Sequence, residues 1–415
     1  MSAAPTSGAR ASRLRQRDLL TPAVLADPYP LYAQLRAGAT LVSSTGWQRL
    51  ARHADVELVL RDGRFSVAAV RAALDRGILA RLPEADRRSL AGGLAIRAGM
   101  MLYTDRPRHT RLRRLVQATF TPAATARLRA RVQELVADLL DRARRRGRLE
   151  VVGDLGYPLP AMVIADLLGL PPEDHAHVKR ISDAVIRTMG TGAPDPASYA
   201  LAHQALEELT AYLAPFVAER RRRPRDDFLS ALVRAESRGQ IDEAELHATV
   251  LSVLVGGHET TTGLIANGLL ALLRHPDQLE LLRERRAPIG AAVEELLRFD
   301  SPIQLTARVA TADVELNGRG IRRGQLLECW LGAASRDPAR FPDPDRLDVR
   351  RSPNHHVAFG LGPHFCLGAA LARLEGSVAL DAVLQAFPRL RLASRPVEWQ
   401  PSVVFRCPAE LHVEI

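Results

Sequence analysis

The chain has 415 residues, 47% of them hydrophobic, which is enough apolar material for a large buried core and too much for a disordered polypeptide. Arg and Lys outnumber Asp and Glu by 57 to 47, a net charge of +10. Lys179 is the sole lysine, the arginines are interleaved with acids, and no nucleic-acid module pattern occurs, so the charge argues for a solvated surface with a basic docking face and against nucleic acid as a partner. No uninterrupted run of about 18 apolar residues offers a membrane span. The N-terminus is polar, without the apolar core of a signal peptide. Cys329, Cys366 and Cys407 are odd in number and lack framework spacing, which fits a reduced, cytoplasmic protein.

Ala, Leu and Arg dominate and aromatics are sparse, which favours helix over strand. The expected fold is mainly α with small β-sheets, one domain over 21–415 behind a flexible arm at 1–20. Asp27-Pro28-Tyr29-Pro30 opens a first helix, since proline suits a helix start. Residues 46–59 alternate in short pieces that suggest a small sheet, and 64–102 read as short helices and a long loop. His109 and Arg113, four apart in a basic segment, share one helix face and can together hold a carboxylate. Residues 123–240 are helical, with breaks at Pro158, Pro160, Pro171-Pro172 and 190–196. The last break fits a mobile lid, and Arg220–Arg225 reads as a solvated helix end.

A long helix then starts at Asp242, with Glu245 in capping-box spacing, and runs to about Arg274. At its centre stands Gly256-Gly257-His258-Glu259-Thr260-Thr261-Thr262. Glycines and threonines are poor helix formers, and such a local conflict points to a functional position. The glycines remove side chains where a ligand approaches, and the acid and alcohol beside them, Glu259 and Thr260, can pass protons. A helix from near Ile289 carries Glu295 and Arg298, three apart and able to pair. Ser301-Pro302 breaks that helix, and Ile303-Gln304-Leu305-Thr306-Ala307-Arg308 enters a strand. Last comes Phe359-Gly360-Leu361-Gly362-Pro363-His364-Phe365-Cys366-Leu367-Gly368. Its glycines and proline suppress regular structure up to a lone cysteine at or just before a helix N-terminus, where exposed N–H groups favour thiolate.

That ten-residue pattern, Phe-Gly-x-Gly-x-His-x-Cys-x-Gly, resembles the heme-binding signature of the cytochrome P450 family of heme-thiolate monooxygenases. Gly256-Gly257-His258-Glu259-Thr260 is similar to the family's oxygen-binding signature. Glu295-x-x-Arg298, with Pro338-Ala339-Arg340-Phe341 after it, is similar to its structural ion-pair signature. The resemblance runs from about Asp27 to Ile415. It implies a triangular-prism helical bundle enclosing heme b, with Cys366 as the axial ligand of iron. His109, Arg113, Arg308 and His364 would bind the heme propionates, and Phe359, Gly368, Gly256 and Gly257 would line the cofactor. Thr260 and Glu259 would relay protons during O2 activation, and Glu295, Arg298 and Arg340 would form the structural ion cluster. Val255, Ile303, Gln304, Leu305, Val403 and Val404 would contact substrate.

The resemblance further implies electrons from NAD(P)H through a ferredoxin reductase and a ferredoxin or flavodoxin, docking on a basic surface that includes Arg106, Arg108, Arg111 and Arg114. A monomer oxidising a lipophilic secondary metabolite is expected. The alternatives are a peroxygenase of the same fold driven by hydrogen peroxide, and a heme carrier or sensor without turnover. The acid–alcohol pair argues against both.

Overall fold

The computed structural model describes residues 14–15, 19–38, 41–42, 47–80, 84–190 and 196–415. Helices α1 (Pro22–Ala26), α2 (Tyr29–Arg36), α3 (His53–Arg61), α4 (Ala68–Leu79), α5 (Glu84–Gly99) and α6 (Arg108–Val116) make the N-terminal third. Helices α7 (Pro122–Arg127), α8 (Arg129–Arg146), α9 (Pro158–Leu168), α10 (His175–Gly190), α11 (Pro196–Arg222) and α12 (Phe228–Ser237) follow. Then come α13 (Glu243–Arg274), α14 (Pro276–Arg283), α15 (Ile289–Phe299), α16 (Leu331–Ala334) and α17 (Ala369–Ala386).

The strands are β1 (Leu14–Arg15), β2 (Leu41–Val42), β3 (Gln48–Leu50), β4 (Phe65–Ser66), β5 (Leu149–Glu150), β6 (Leu305–Ala310), β7 (Val314–Leu316), β8 (Arg319–Ile321), β9 (Leu326–Trp330), β10 (Arg391–Leu392) and β11 (His412–Glu414). They form small sheets of order β3-β9-β6-β4, β10-β11-β5, β7-β8 and β1-β2. Only β3–β9 and β1–β2 pair in parallel. The β7–β8 hairpin turns on Asn317 and Gly318, both at positive φ, as a two-residue hairpin turn requires. Most of the expected arm, 1–13 and 16–18, lies outside the described residues, and so does 191–195 of the expected lid.

Helix α13 is the axis. Asp242 accepts from the Glu245 N–H at 2.7 Å and Glu245 accepts from the Asp242 N–H at 3.4 Å, closing the capping box. Its 32 residues span ~48 Å at 1.5 Å per residue. Leu246, Leu251, Leu254, Leu264, Ile265, Leu269 and Leu272 are all at most 2% exposed, so the helix is apolar nearly all round and α5, α9, α15 and α17 pack against it. The ladder runs unbroken through Gly256-Gly257: the conflict there removes side chains without breaking the helix.

Two segments differ from their sequence patterns. Residues 53–61 form α3, not strand, because His53, Val56, Val59 and Leu60 are the buried positions, a helical spacing. Residues 64–102 hold two real helices, α4 and α5, in place of a long loop, because packing of α5 on α11 and α13 and of α4 on α5 and β6 supplies order that the Gly- and Ala-rich sequence does not signal. Arg220, expected in solvent, is 1% exposed and bonds Asp227 and the Gly169 carbonyl.

Glu375 on α17 is 1% exposed, and burial alone pushes its carboxyl up to about 8. Its pKa is therefore higher in the fold than in the unfolded chain. The folded protein keeps a proton between pH ~4.3 and 8 that the unfolded chain has lost, so stability falls as pH rises through that window. Glu375→Gln, which cannot ionise, is expected to be more stable than the parent at pH 8, by on the order of 5 kcal/mol. The gap should close toward pH 5, as read by melting temperature against pH.

Candidate active site

The loop before α17 builds one wall. Gly360 and Gly362 sit at φ +65° and +69°, conformations that favour glycine. A Cβ at Gly362 would also strike the Leu60 carbonyl at 2.5 Å. These turns bring the Cys366 N–H onto the Phe359 carbonyl at 2.9 Å, so Cys366 stands two residues before Gly368, the N-cap of α17. The free protein does not by itself favour thiolate. Burial pushes the Cys366 thiol up, against the Gly368 N–H, Arg113 and Arg373, which pull it down. A metal on the sulfur would favour its deprotonation. Among the described residues no three His, Cys, Asp or Glu side chains gather as a metal cage.

Beside the thiol lies a cluster of cationic and imidazole groups. His109 is 2% exposed with Nε2 unpartnered among the described residues, and its ring lies 4.0 Å from that of His364. Burial, reinforced by His109, Arg308 and Arg113, drives His364 down to about 3. Arg308, 5% exposed, donates only to its neighbours, the Thr306 hydroxyl at 3.3 Å and the Ala307 carbonyl at 2.8 Å, and burial lowers its pKa. Arg113 is half-buried on α6, with its pKa lowered by burial and raised by Cys366. Four groups thus converge: His109, Arg308 and Arg113 disfavour charge on His364, while Asp105 favours it on His109 and Arg308, and the two guanidinium groups leave room for an anion between them.

Helix α13 supplies a second wall. Thr260, half-buried, donates to the Gly256 carbonyl at 2.8 Å. Glu259 is 8% exposed, and burial raises its pKa while a Gln400 hydrogen bond opposes the rise. The two glycines divide their tasks. A Cβ at Gly256 would meet nothing within 4 Å, whereas one at Gly257 would lie 2.6 Å from Ile164 of α9. Gly256 therefore opens the notch, and Gly257 is a helix-packing position, a correction to its cofactor-lining assignment. Val255 faces the core at 3% exposure.

The third wall is the β6 approach and the C-terminal turn. Ile303 bridges Phe405, and the Gln304 N–H donates to the Val404 carbonyl at 2.8 Å. These bonds hold Val403 and Val404, both half-buried, beside Ile303. Gln304 itself departs from its assigned substrate contact: it is 2% exposed, accepts from the Tyr32 hydroxyl at 2.7 Å and donates to the Ser301 carbonyl at 2.6 Å. Leu305 packs in the N-terminal core with Leu31, Tyr32 and Trp330.

The ion cluster is corrected in one member. Arg298 bonds Glu295 through two nitrogens at 2.7 and 2.8 Å, both residues being wholly buried. The third cation is Arg351, 3.1 Å from Glu295. Arg340 is exposed. Asp337, which accepts from the His53 and Ala339 N–H groups, turns the chain outward at Arg340, and the segment after it returns over α15 carrying Arg351. On the surface, Arg108 and Arg111 are held by Glu245 at 2.8 and 2.6 Å. Arg106 and Arg114 remain exposed, with no carboxylate partner among the described residues.

Sequence reasoning missed two residues near the thiol. Arg373 bonds Glu294 at 2.6 Å and stacks over Phe359, 4.5 Å from its centroid, while His356 meets Glu294 at 3.2 Å. The available signal was the position of Arg373, seven residues beyond Cys366 and on its helix.

The cytochrome P450 family model matches residues 192–285 and 289–398. The chain is 36% identical over 401 residues to a "Biotin biosynthesis cytochrome P450" of Bacillus subtilis (strain 168), covering 94% of this chain and 96% of that one. It is 40% identical over 399 residues to "Cytochrome P450 monooxygenase PikC" of Streptomyces venezuelae, covering 92% and 89%. The solved structure of P450BioI, in complex with an acyl carrier protein ligated to hexadec-9Z-enoic acid, superposes with a TM-score of 0.86 at 35% identity over 95% of this chain and 99% of that one. With these motifs in this order on this fold, the chain is an enzyme of the cytochrome P450 family of monooxygenases.

Proposed function

We propose that this enzyme binds heme b, draws electrons from NAD(P)H through a ferredoxin reductase and a ferredoxin or flavodoxin, and hydroxylates or epoxidises a lipophilic small molecule in secondary metabolism. The observation that carries the reading is the meeting of one loop thiol with two arginines and two imidazoles, Arg113, Arg308, His109 and His364, of which His109 keeps a buried, unpartnered ring nitrogen among the described residues. A dianionic porphyrin edge would suit that cluster, and Cys366 would hold its iron. His109, Arg113, Arg308 and His364 would hold the propionates. When bound, such a heme supplies reductive activation of O2, with thiolate electron density favouring O–O cleavage.

The chain's own groups do the rest. Gly256 leaves room above the helix. The Thr260 hydroxyl, tied to the Gly256 carbonyl, is held at the notch, where it can pass a proton on. Glu259, its pKa raised by burial, keeps a proton to higher pH than an exposed carboxyl does and restocks that hydroxyl. Ile303, Val403 and Val404 offer an apolar face to substrate. The biotin-biosynthesis and acyl-carrier-protein relatives support a lipophilic substrate, and Arg106 and Arg114 in a chain of net charge +10 suit an acidic electron carrier. The expected state is a cytoplasmic monomer.

Reconstitution with NADPH, ferredoxin and its reductase tests the reading. Consumption of NADPH that rises with an apolar ligand and yields an oxygenated product supports it, whereas turnover with hydrogen peroxide and none with ferredoxin would replace it by a peroxygenase. Thr260→Ala removes a half-buried hydroxyl bonded only to its own helix, and alanine is the better helix former, so heme content should not change. Loss of a proton-transfer group should lower product per NADPH by about tenfold or more, with the electrons recovered as peroxide. Tight coupling in that variant rules the relay out.

A further inference from the structure

Helices α4 and α5 and the first turn of α11 bury two guanidinium groups side by side. Arg71 and Arg97 are each 2% exposed. Arg71 is paired: its Nε donates to Asp75 at 2.8 Å, Nη2 reaches the other Asp75 oxygen, and Nη2 also donates to the Tyr199 hydroxyl at 2.8 Å. Although burial opposes its charge, these partners raise its pKa. Arg97 has no such support. Its Nε and Nη2 are buried and unpartnered among the described residues, and its guanidinium lies 4.9 Å from the Tyr199 ring centroid. Burial first, and Arg71 second, lower its pKa.

Among the described residues the charge balance is two guanidinium groups against one carboxylate, an excess of one positive charge. A cation over an aromatic face recovers only part of what removing it from water costs, and a second cation alongside adds to that cost. Unpaired guanidinium nitrogens in a fixed fork match the geometry of one carboxylate.

The place of this fork in the fold bears on what supplies that carboxylate. Arg97 sits at the end of α5, where a Cβ on Gly99 would lie 3.1 Å from Ala248 of α13, and the next turn donates from the Met101 N–H to Ser252 Oγ at 3.3 Å. Ser252 is one helical turn before Gly256, ~6 Å along the axis. Leu90, Leu94 and Tyr199 form the apolar cluster alongside. The fork is built by other elements than the active-site cluster: α4, α5 and α11 carry Arg71, Arg97 and Tyr199, whereas His109 and Arg113 are on α6, Arg308 is on β6 and His364 is in the Cys366 loop.

We propose that Arg97, backed by Arg71 and Tyr199, binds the carboxylate of the substrate, so that the enzyme takes a lipophilic monocarboxylic acid and holds its apolar remainder toward Gly256 and Thr260. This rests on the monooxygenase reading above and narrows its substrate class.

The test is a spin-state titration of the heme-loaded enzyme at pH 7.5 with dodecanoic acid and with methyl dodecanoate. The acid should bind at least about tenfold tighter than the ester, as a charge-assisted bond to a buried partner implies. Arg97→Met, close in volume and uncharged, should bring the acid's Kd to that of the ester and leave the ester's Kd unchanged, and Arg97→Lys should recover part of the difference. An acid that binds no tighter than its ester in the parent enzyme overturns the proposal, and so does an Arg97→Met variant that weakens both ligands alike. Should Arg97→Met fail to take up heme, the acid and ester pair on the parent decides alone. Failure of the monooxygenase reading shows separately, as absence of the far red-shifted ferrous–CO band before any ligand is added.

Discussion

Cys366→Ala is expected to abolish the far red-shifted Soret band of the ferrous–CO complex and all turnover, while leaving the helical fold intact. The side chain sits in a loop whose shape is fixed by backbone: Gly360 and Gly362 at positive φ, and the Cys366 N–H on the Phe359 carbonyl. Alanine keeps every one of those bonds, so far-ultraviolet dichroism should match the parent. What disappears is the sulfur. Burial pushes that thiol up in the free protein, so the parent without heme should alkylate slowly at neutral pH, because the thiolate is the reactive form. Heme uptake should then release a proton as the metal takes the thiolate. Heme content of the variant, carbon monoxide difference spectra and proton release together check the assignment. A Cys366→Ala protein that retains the band disproves it.

The long axis and the catalytic loop were legible in the sequence for physical reasons that act locally. The capping box at Asp242 and Glu245, the continuous apolar stretch behind it, and the glycines around Cys366 each report on a few neighbouring residues, and each appears as read. What was not legible depends on distant packing. Gly256 and Gly257 are identical in sequence terms, yet Ile164, some 90 residues away, decides that one opens a notch and the other seats a helix. Gln304 reads as a pocket residue by position, but Tyr32 claims its amide. Helices α4 and α5 have weak periodicity and exist because α11 and α13 cover α5 while α5 and β6 cover α4, and so the buried pair Arg71 and Arg97 could not be anticipated. At Cys366 two local effects compete: burial raises the thiol, while the Gly368 N–H, Arg113 and Arg373 favour the charge, a balance that depends on packing and not on the loop pattern alone.

The second large effect falls on the ion cluster, and it separates Arg351 from Arg340. Glu295 is wholly buried and accepts from Arg298 twice, from Arg351 at 3.1 Å, from Asn354 at 3.1 Å and from the Asp348 N–H at 2.9 Å. Arg298 in turn donates to the carbonyls of Ser335, Pro344 and Arg346 at 2.8 to 3.2 Å. The carboxylate thus pins α15 to the segment 335–354 that leads into the Cys366 loop. Glu295→Gln keeps the shape and deletes the charge, leaving Arg298 buried without a counter-ion. Breaking a buried pair in this way costs about 3–5 kcal/mol, a large share of a typical total stability of 5–15 kcal/mol. Little heme-loaded protein should accumulate, and any that does should lose heme on mild warming.

Arg351→Ala removes one bond to the same carboxylate and three to the Pro342, Asp343 and Arg346 carbonyls. It should cost about 1–3 kcal/mol. Arg340→Ala, at an exposed side chain, should stay within about 0.5 kcal/mol of the parent. Urea midpoints of the three variants, followed by heme absorbance, give the order directly. If Arg340→Ala proves as damaging as Arg351→Ala, the third member of the cluster has been misassigned, and the loop after α16 must approach α15 more closely than Asp337 allows.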